Sequence, residues 1–391
     1  MDDPQLPGAA GLLGPEARTV LDRAVEHGEI RAARPTQVRY DPGRRLAVRY
    51  AADVAWVDGT RRTETLGAVV DHTTLPAALS VVPRGGGHVG VWRYPHDPFL
   101  PGLAWAAEPA RLGRLLGHLG VSGPVGAVEP VVYRPTARAV LRVHLPGRTL
   151  YAKIVRPDAA LQLRTLHAAF PSHVPAPHCL AASTALGVVV LEALPGLPLS
   201  RAVLRGRAVP EADEVVAVLD GVRAVQLPSA RPARCTPVRW YADVLTAAVP
   251  SEAERVDGLA AAAQDRGVRT DTTVHGDFSP AQLLVRGAAV CGLLDLDGAG
   301  RGSTLDDPAN LIAHLVALEH TRPAAADRLR AYRRAVVGAL GVSGDDDAFR
   351  ATVTGVLLAL ATAPFRRQDR QWPRRTTAWL DVVERWAAGA V

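Results

Sequence analysis

The chain has 391 residues, a formal net charge of +6, 48% apolar and 21% charged residues, enough for two or three packed units around a sizeable core. No run reaches the ~18 consecutive apolar residues that cross a bilayer; the best, VLLALATA from Val356, stops at Pro364 and Arg366, so no membrane partner is expected. The arginines are spread among 39 acids without an aromatic-interleaved stripe, so the basic balance describes a solvated surface and no nucleic-acid partner.

The opening MDDPQLPG lacks the basic then apolar pattern of a signal peptide, and a cytoplasmic location is expected. Cys179, Cys235 and Cys291 are far apart and in no metal-ligand spacing, which predicts buried free thiols. Residues 1–118 begin with a helical stretch, PEARTVLDRAVEHG, followed by β-type runs and the Gly-rich RGGGHVG. A Walker loop requires Gly-Lys-Ser/Thr at its end, so RGGGHVG is expected to be a turn.

Residues 119–195 carry strand signals in VEPVVYRP, AVLRVHL and TLYAKIV, the last two separated by Pro146-Gly147. A helix is predicted from Asp158 to Phe170, then a proline-broken strand entry, VPAPHCL, and a buried strand, VVVLEALPG, running into a loop. Residues 196–391 are mostly helical, interrupted by one β-rich insert at Thr273–Leu296. An internal echo places VRYDPGRRLAVRY (from Val38) over VVYRPTARAVLRV (from Val131), and Val69 where Lys153 stands in the second copy. A three-strand unit occurring twice, once without its lysine, would produce this pattern.

Lys153 is the only lysine in a chain whose Lys and Arg together number 45. An ammonium kept where arginine serves everywhere else suits phosphate binding, because it is a compact point charge on a flexible stem. The segment TVHGDFSPAQLLVRGAAVCGLLDLDGAGRGSTLDDPAN, from Thr273, supplies the complement. Asp277 follows a sharp His-Gly turn, Gln282 comes five residues later, and Asp295 ends an apolar run. A short hairpin between them brings Gln282 and Asp295 toward one point near Asp277. Phosphoryl transfer asks for hard oxygen ligands to Mg²⁺ and a separate carboxylate to orient the incoming hydroxyl and take its proton. Asp277 fits the second task, Gln282 and Asp295 the first, and Lys153 reaches the phosphates of ATP. His275 is expected to be a structural hydrogen-bonding residue, Asp297 and Asp306 solvated turn acids, and GDDDA at Gly344 a turn before a helix.

HGDFSPAQ resembles the HGDxxxxN signature of the aminoglycoside phosphotransferase and choline kinase superfamily, and LLDLDGAGRGSTLDDPANL resembles its second signature. The resemblance implies an α+β, bilobal protein-kinase-like fold, with a β-rich N-lobe and a helical C-lobe. It also implies Asp277 as catalytic base, Gln282 and Asp295 as Mg²⁺ ligands, Lys153 on the phosphates and Asp307 bracing the catalytic loop. VLEALPG resembles the hinge, which would place adenine against backbone groups of Glu192 and Leu194. Gln282 stands where Asn is usual, a substitution similar to that of bacterial maltokinases and glucosamine kinases, which also carry an N-terminal cap. Residues 1–118 are therefore expected to form an α/β cap domain, 119–195 the ATP-binding lobe and 196–391 the helical lobe. The helix after Lys153 has no glutamate where the family places the lysine's partner, which leaves Gln162 or Asp158 for that role.

The resulting expectation is an ATP- and Mg²⁺-dependent kinase, monomer or homodimer. Its partner would be a small-molecule hydroxyl acceptor of the sugar, amino sugar or aminoglycoside-like class. Two rivals stay open, a kinase acting on Ser or Thr of a natural-product peptide and a catalytically silent nucleotide-binding module.

Overall fold

Strand periodicity dominates the first half of the chain. In the computed structural model, which describes residues 3–72, 75–77, 79–227, 232–233, 237–263, 270–342 and 346–389, this half forms two separate five-stranded sheets. The first holds a short helix, α1 (Ala17–Leu21), against β1 (Gly28–Asp41), β2 (Arg45–Trp56), β3 (Arg61–Asp71), β4 (Ser80–Arg84) and β5 (Gly87–Arg93). RGGGHVG is the tight turn of the β4–β5 hairpin, with Gly85 and Gly86 at positive φ.

The second sheet follows α2 (Gly102–Ala106) and α3 (Pro109–His118). It contains β6 (Ala127–Arg134), β7 (Arg138–Leu145) and β8 (Arg148–Val155), then, after α4 (Pro157–Ala169), β9 (Cys179–Ser183) and β10 (Val188–Glu192). The first sheet runs in the order β1-β2-β3-β5-β4 and the second β6-β7-β8-β10-β9, with every neighbouring pair antiparallel. The echo in the sequence thus has a structural counterpart, the same meander and the same inserted fifth strand occurring twice. Val69 of β3 pairs with Ala47 and Gly90, as Lys153 of β8 pairs with Val140 and Val189.

The two faces of the second sheet have different fates, because directly opposed residues share a face and successive residues alternate. Ala139, Leu141, Val143, Ala152, Ile154, Val188 and Val190 form one face and are buried against Leu103, Leu112 and Leu116 of α2 and α3. These helices therefore pack with the second sheet, although the sequence reading joined them to the unit ending at residue 118. The other face carries Arg134, Arg138 and Lys153, with Arg134 opposite Arg138 and Lys153 between Val140 and Val189.

After the hinge, β11 (Leu197–Pro198) and α5 (Leu199–Leu204) begin the helical lobe, followed by α6 (Ala212–Ala224), α7 (Val238–Ala248) and α8 (Ala253–Ala262). The β-rich insert is β12 (Thr270–Val274), the hairpin β13 (Leu283–Arg286) and β14 (Ala289–Leu293), and β15 (Gly300–Ser303), which pairs back with β12. Helices α9 (Asp306–Thr321), α10 (Ala326–Leu340), α11 (Asp347–Ala361), α12 (Ala363–Arg366) and α13 (Trp372–Ala387) complete it. Asp346 caps α11 by accepting from the Ala348 and Phe349 amides, the expected turn acid, while Gly344 lies outside the described residues. By length and composition residues 347–366 would suffice to cross a membrane, yet most of that stretch is buried, packed on α9, α13, α7 and α8.

The first sheet reaches both lobes. Toward the second sheet, Asp97 is 2% exposed and accepts from Tyr133 Oη (3.0 Å) and the Thr136 amide (2.8 Å), while Trp92 Nε1 donates to Tyr133 Oη (2.7 Å). Toward the helical lobe, Phe365 of α12 and Val244 of α7 belong to the core of the first sheet, and Trp240 Nε1 donates to Asp41 Oδ1 (2.7 Å). Cys179 and Cys291 are free and half-buried, so the expectation of fully buried thiols fails for both; Cys235 lies outside the described residues.

Candidate active site

The β13–β14 hairpin brings the acids together as its spacing predicts. Leu283 pairs with Leu293 and the Leu294 amide donates to the Gln282 carbonyl (2.9 Å), so Gln282 enters the hairpin beside the residue preceding Asp295. Asp277 leaves β12 through His275 and Gly276. Gly276 has φ +76°, and a Cβ there would lie 2.5 Å from the Gly298 carbonyl oxygen, so only glycine lets the two loops approach this closely. The Gln282 and Asn310 side-chain amides both stand 3.5 Å from Asp277 carboxylate oxygens, and Asn310 also donates to the Phe278 carbonyl at 3.0 Å.

Two buried groups fix the loop from behind. Asp307 accepts from the His275 amide (2.6 Å) and the Gly276 amide (2.9 Å). Burial raises its pKa, against the pull of His275 and of the two amides. The His275 ring bridges Leu294 O (2.9 Å) and the Asp277 amide (3.3 Å). Nε2 therefore donates and Nδ1 accepts. Histidine is here a strut between the two loops, and Asp307 braces the turn.

Lys153 lies in the acid cluster. Its Nζ is 2.6 Å from Asp295 Oδ1 and also bonds Asp297 Oδ1. Arg138 joins it from β7, with Nη2 2.8 Å from Asp295 Oδ2, Nη1 3.1 Å from Asp295 Oδ1 and 3.0 Å from Asp297 Oδ2. The four side chains are 6–16% exposed, and two cations balance two anions in a low-dielectric pocket. Burial works against ionised Asp295, but Lys153 and Arg138 together outweigh it and hold its carboxyl well below the usual range. Asp295 has φ +62° and ψ +55°, a left-handed conformation uncommon for a residue with a side chain and concentrated at functional sites.

This quartet answers the question of the missing glutamate differently from the sequence reading. Neither Gln162 nor Asp158 is the lysine's partner; Asp158 is exposed at the start of α4, 3.8 Å from Arg156. Asp297 is likewise no solvated turn acid, being bonded to both cations. Asp306 does serve a turn, accepting from the Ser303 amide at 2.8 Å.

At the hinge, Glu192 turns its carboxylate to the His178 amide (2.8 Å), and its own amide donates to His178 O (3.2 Å). Among the described residues the Leu194 amide has no backbone partner. Both residues lie at the exit of β10.

Sequence reasoning missed Arg138, Asn310 and His314. Asn310 and His314 are one turn apart on α9, and Asp277 acts electrostatically on His314. Burial keeps His314 below the usual histidine range, against that pull. Only the i, i+4 spacing of two polar residues in an apolar helix hints at them.

As for a metal, no group of three or more His, Cys, Asp or Glu side chains among the described residues is arranged to hold one. Gln282 and Asp295 offer an amide and a carboxylate, oxygen donors of the kind Mg²⁺ takes with phosphates and water completing its shell. The donor set fits, with one condition. Both Asp295 oxygens are engaged by Lys153 and Arg138, so a dication must displace at least one of them.

The model of the phosphotransferase enzyme family (APH) matches residues 124–341, more than half of the chain. No curated protein matches. Similar solved structures include a thermostable mutant of aminoglycoside phosphotransferase APH(4)-Ia in ternary complex with ADP and hygromycin B, at 14% identity and TM-score 0.48, covering 70% of this chain and 97% of that one. Macrolide 2'-phosphotransferase MphH from Brachybacterium faecium follows at 16% identity and TM-score 0.42, covering 70% and 97%. Aminoglycoside phosphotransferase APH(3'')-Id from Streptomyces rimosus has 20% identity and TM-score 0.42, covering 64% and 97%. With a β-rich lobe and a helical lobe meeting at this acid cluster, the chain has the bilobal protein-kinase-like fold and belongs to the phosphotransferase enzyme family.

Proposed function

We propose that this protein transfers the γ-phosphoryl group of ATP, with Mg²⁺, to a hydroxyl of a small sugar-class acceptor. The observation that carries the reading is the meeting of Lys153 from the sheet lobe with Asp295 from the helical lobe, beside a separate carboxylate, Asp277. The nucleotides in the complexes of the APH(4)-Ia structures, ADP and AMP-PNP, support the choice of ATP.

Each residue has a task that follows from its chemistry. The Leu194 amide and the Glu192 carbonyl receive adenine at the hinge. Lys153 and Arg138 turn from the carboxylates to the phosphates as these arrive, exchanging one set of oxygens for another. Gln282 and Asp295 would hold Mg²⁺, which when bound neutralises charge on the phosphate oxygens. Asp277 accepts a hydrogen bond from the acceptor hydroxyl, with Asn310 and Gln282 fixing its carboxylate. The acceptor oxygen forms its bond to phosphorus as the bond to the bridging oxygen breaks. The hydroxyl proton passes to Asp277, and the leaving electron pair remains on the β-phosphate of ADP.

The test is Asp277→Ala, assayed for ATP consumption over a panel of sugars, amino sugars and aminoglycosides, with mass spectrometry for the added phosphate. Turnover should fall by roughly 10² to 10⁴ while ADP still raises the unfolding temperature. Undiminished turnover in the variant refutes the assignment of Asp277. Nucleotide binding without turnover on any acceptor in the wild type points to the silent module instead.

A further inference from the structure

A cavity of about 660 Å³ opens in the helical lobe among α9, α10, α11 and α13, and the mechanism above makes no use of it. Its volume falls within the range of small-molecule sites. Asn310, near the start of α9, faces Asp277, whereas Glu319, which lines the cavity, lies about 14 Å further along the same helix. The cavity is thus set apart from the place where a hydroxyl meets Asp277.

Its floor is apolar. Val316 of α9, Phe349 of α11, and Val382 and Trp386 of α13 line it and are each at most 6% exposed. Packed contacts fix the walls. The buried Arg333 of α10 holds its guanidinium 5.8 Å from the Trp386 ring centroid, and its Nε donates to Glu319 Oε1 at 2.7 Å. Trp386 Nε1 donates to the Arg350 carbonyl (3.3 Å), which ties α13 to the first turn of α11.

The charge of the lining is almost all of one sign. Arg330, Arg333, Arg334, Arg350 and Arg385 contribute five guanidinia, and Glu319 is the only acid among the described residues that line the cavity. Glu319 spends both oxygens inside the wall, Oε1 on Arg333 and Oε2 on Arg333 (3.4 Å) and Arg330 (3.7 Å). Arg330 and Arg350 also pair with Asp327 and Asp347, but these acids are exposed, and solvent weakens such pairs. Arg334 and Arg385 are exposed, and no carboxylate among the described residues pairs with either.

A merely solvated helix surface would interleave acids with these cations, as happens where Arg255 meets Asp381, Glu384 and Glu252. Like charges gathered on low-dielectric walls instead focus a positive potential into the space between them.

We infer that this cavity is a binding site for a small organic polyanion, a molecule with an apolar or aromatic body and two or more carboxylate or phosphate groups. The body rests on Phe349 and Trp386. The acid groups meet Arg334 and Arg385, whose planar guanidinia can each hold an oxyanion through two parallel hydrogen bonds. These two arginines stand on different helices, α10 and α13, so a ligand needs a second acid group to engage both. The inference does not rest on the kinase reading, because no residue of the acid cluster takes part.

The experiment titrates trimesate, an aromatic tricarboxylate, into the full chain by calorimetry at physiological ionic strength, where distant surface charges are screened. The wild type should bind it, and the affinity should fall at least tenfold in the Arg334→Gln/Arg385→Gln double variant. Arg374→Gln removes an exposed arginine of α13 outside the cavity and should change the affinity less than twofold, which separates a site from net charge. These substitutions alter exposed side chains only, and unfolding midpoints confirm that the variants are folded. Inorganic phosphate should bind the wild type at least tenfold more weakly than trimesate does. The inference is overturned by a wild type that does not bind trimesate, by a fall of less than tenfold in the double variant, or by a fall of twofold or more in Arg374→Gln. Phosphate binding within tenfold of trimesate overturns the assignment of an organic ligand.

Discussion

Replacing Asp297 by asparagine removes one of two anions from a cluster of two cations while keeping the side chain's size. Lys153 loses one of its two carboxylate partners and Arg138 keeps only its bonds to Asp295. With all four side chains at most 16% exposed, water offers little compensation, and loss of one member of a buried ion pair costs about 3 kcal/mol. Denaturant unfolding should show a loss of this size in the apo protein. The freed positive charge should also favour phosphates, so ADP should stabilise the variant at least as much as the wild type, where a ligand at 100 times its Kd contributes about 2.7 kcal/mol. Turnover should fall, because Lys153 loses the group that positions it. A variant within about 0.5 kcal/mol of wild type, the usual range for surface substitutions, with unchanged KM for ATP, would refute the account of Asp297 as the lysine's partner.

Gly276→Ala should destabilise the helical lobe by about 2 kcal/mol or more, combining a left-handed backbone with a contact to the Gly298 carbonyl; a denaturation midpoint equal to wild type would show that the loops can separate. His167, 1% exposed with Nδ1 2.7 Å from Pro177 O, is held down to about 4 by burial first, with Lys153 adding to the effect and the Pro177 carbonyl opposing it. The unfolded chain therefore binds the extra proton between about pH 6.5 and 4, and stability should fall as pH drops through that window. His167→Gln should flatten the curve there; a slope unchanged by the substitution would show that other groups set it. Asp97→Ala strands the Thr136 amide and the Tyr133 hydroxyl, at about 1–3 kcal/mol for each buried group left unpaired. A thermal midpoint equal to wild type would disprove that Asp97 secures the first sheet to the second.

The catalytic segment was legible in the sequence because its geometry is local. A hairpin between Gln282 and Asp295 needs only strand propensity and a turn, and the Gly276 turn is written in the His-Gly-Asp run itself. Lys153 stood out by its rarity, and its sheet by alternating burial, as in β7. The partnership of Arg138 with Asp297 was hidden because 159 residues separate them and each has an ordinary surface reading alone. The assignment of α2 and α3 followed chain order, whereas their apolar stripe fits the second sheet.

The first sheet grips its neighbours at two seams, one through Asp97 and Tyr133, the other through Phe365, Val244 and the Trp240–Asp41 bond. A two-lobed clamp swings about a single hinge, but three bodies joined in a ring cannot. Widening the cleft must either shear the first sheet or break open a seam. On the kinase reading proposed above, the departure of ADP would thereby depend on contacts far from the reacting phosphorus.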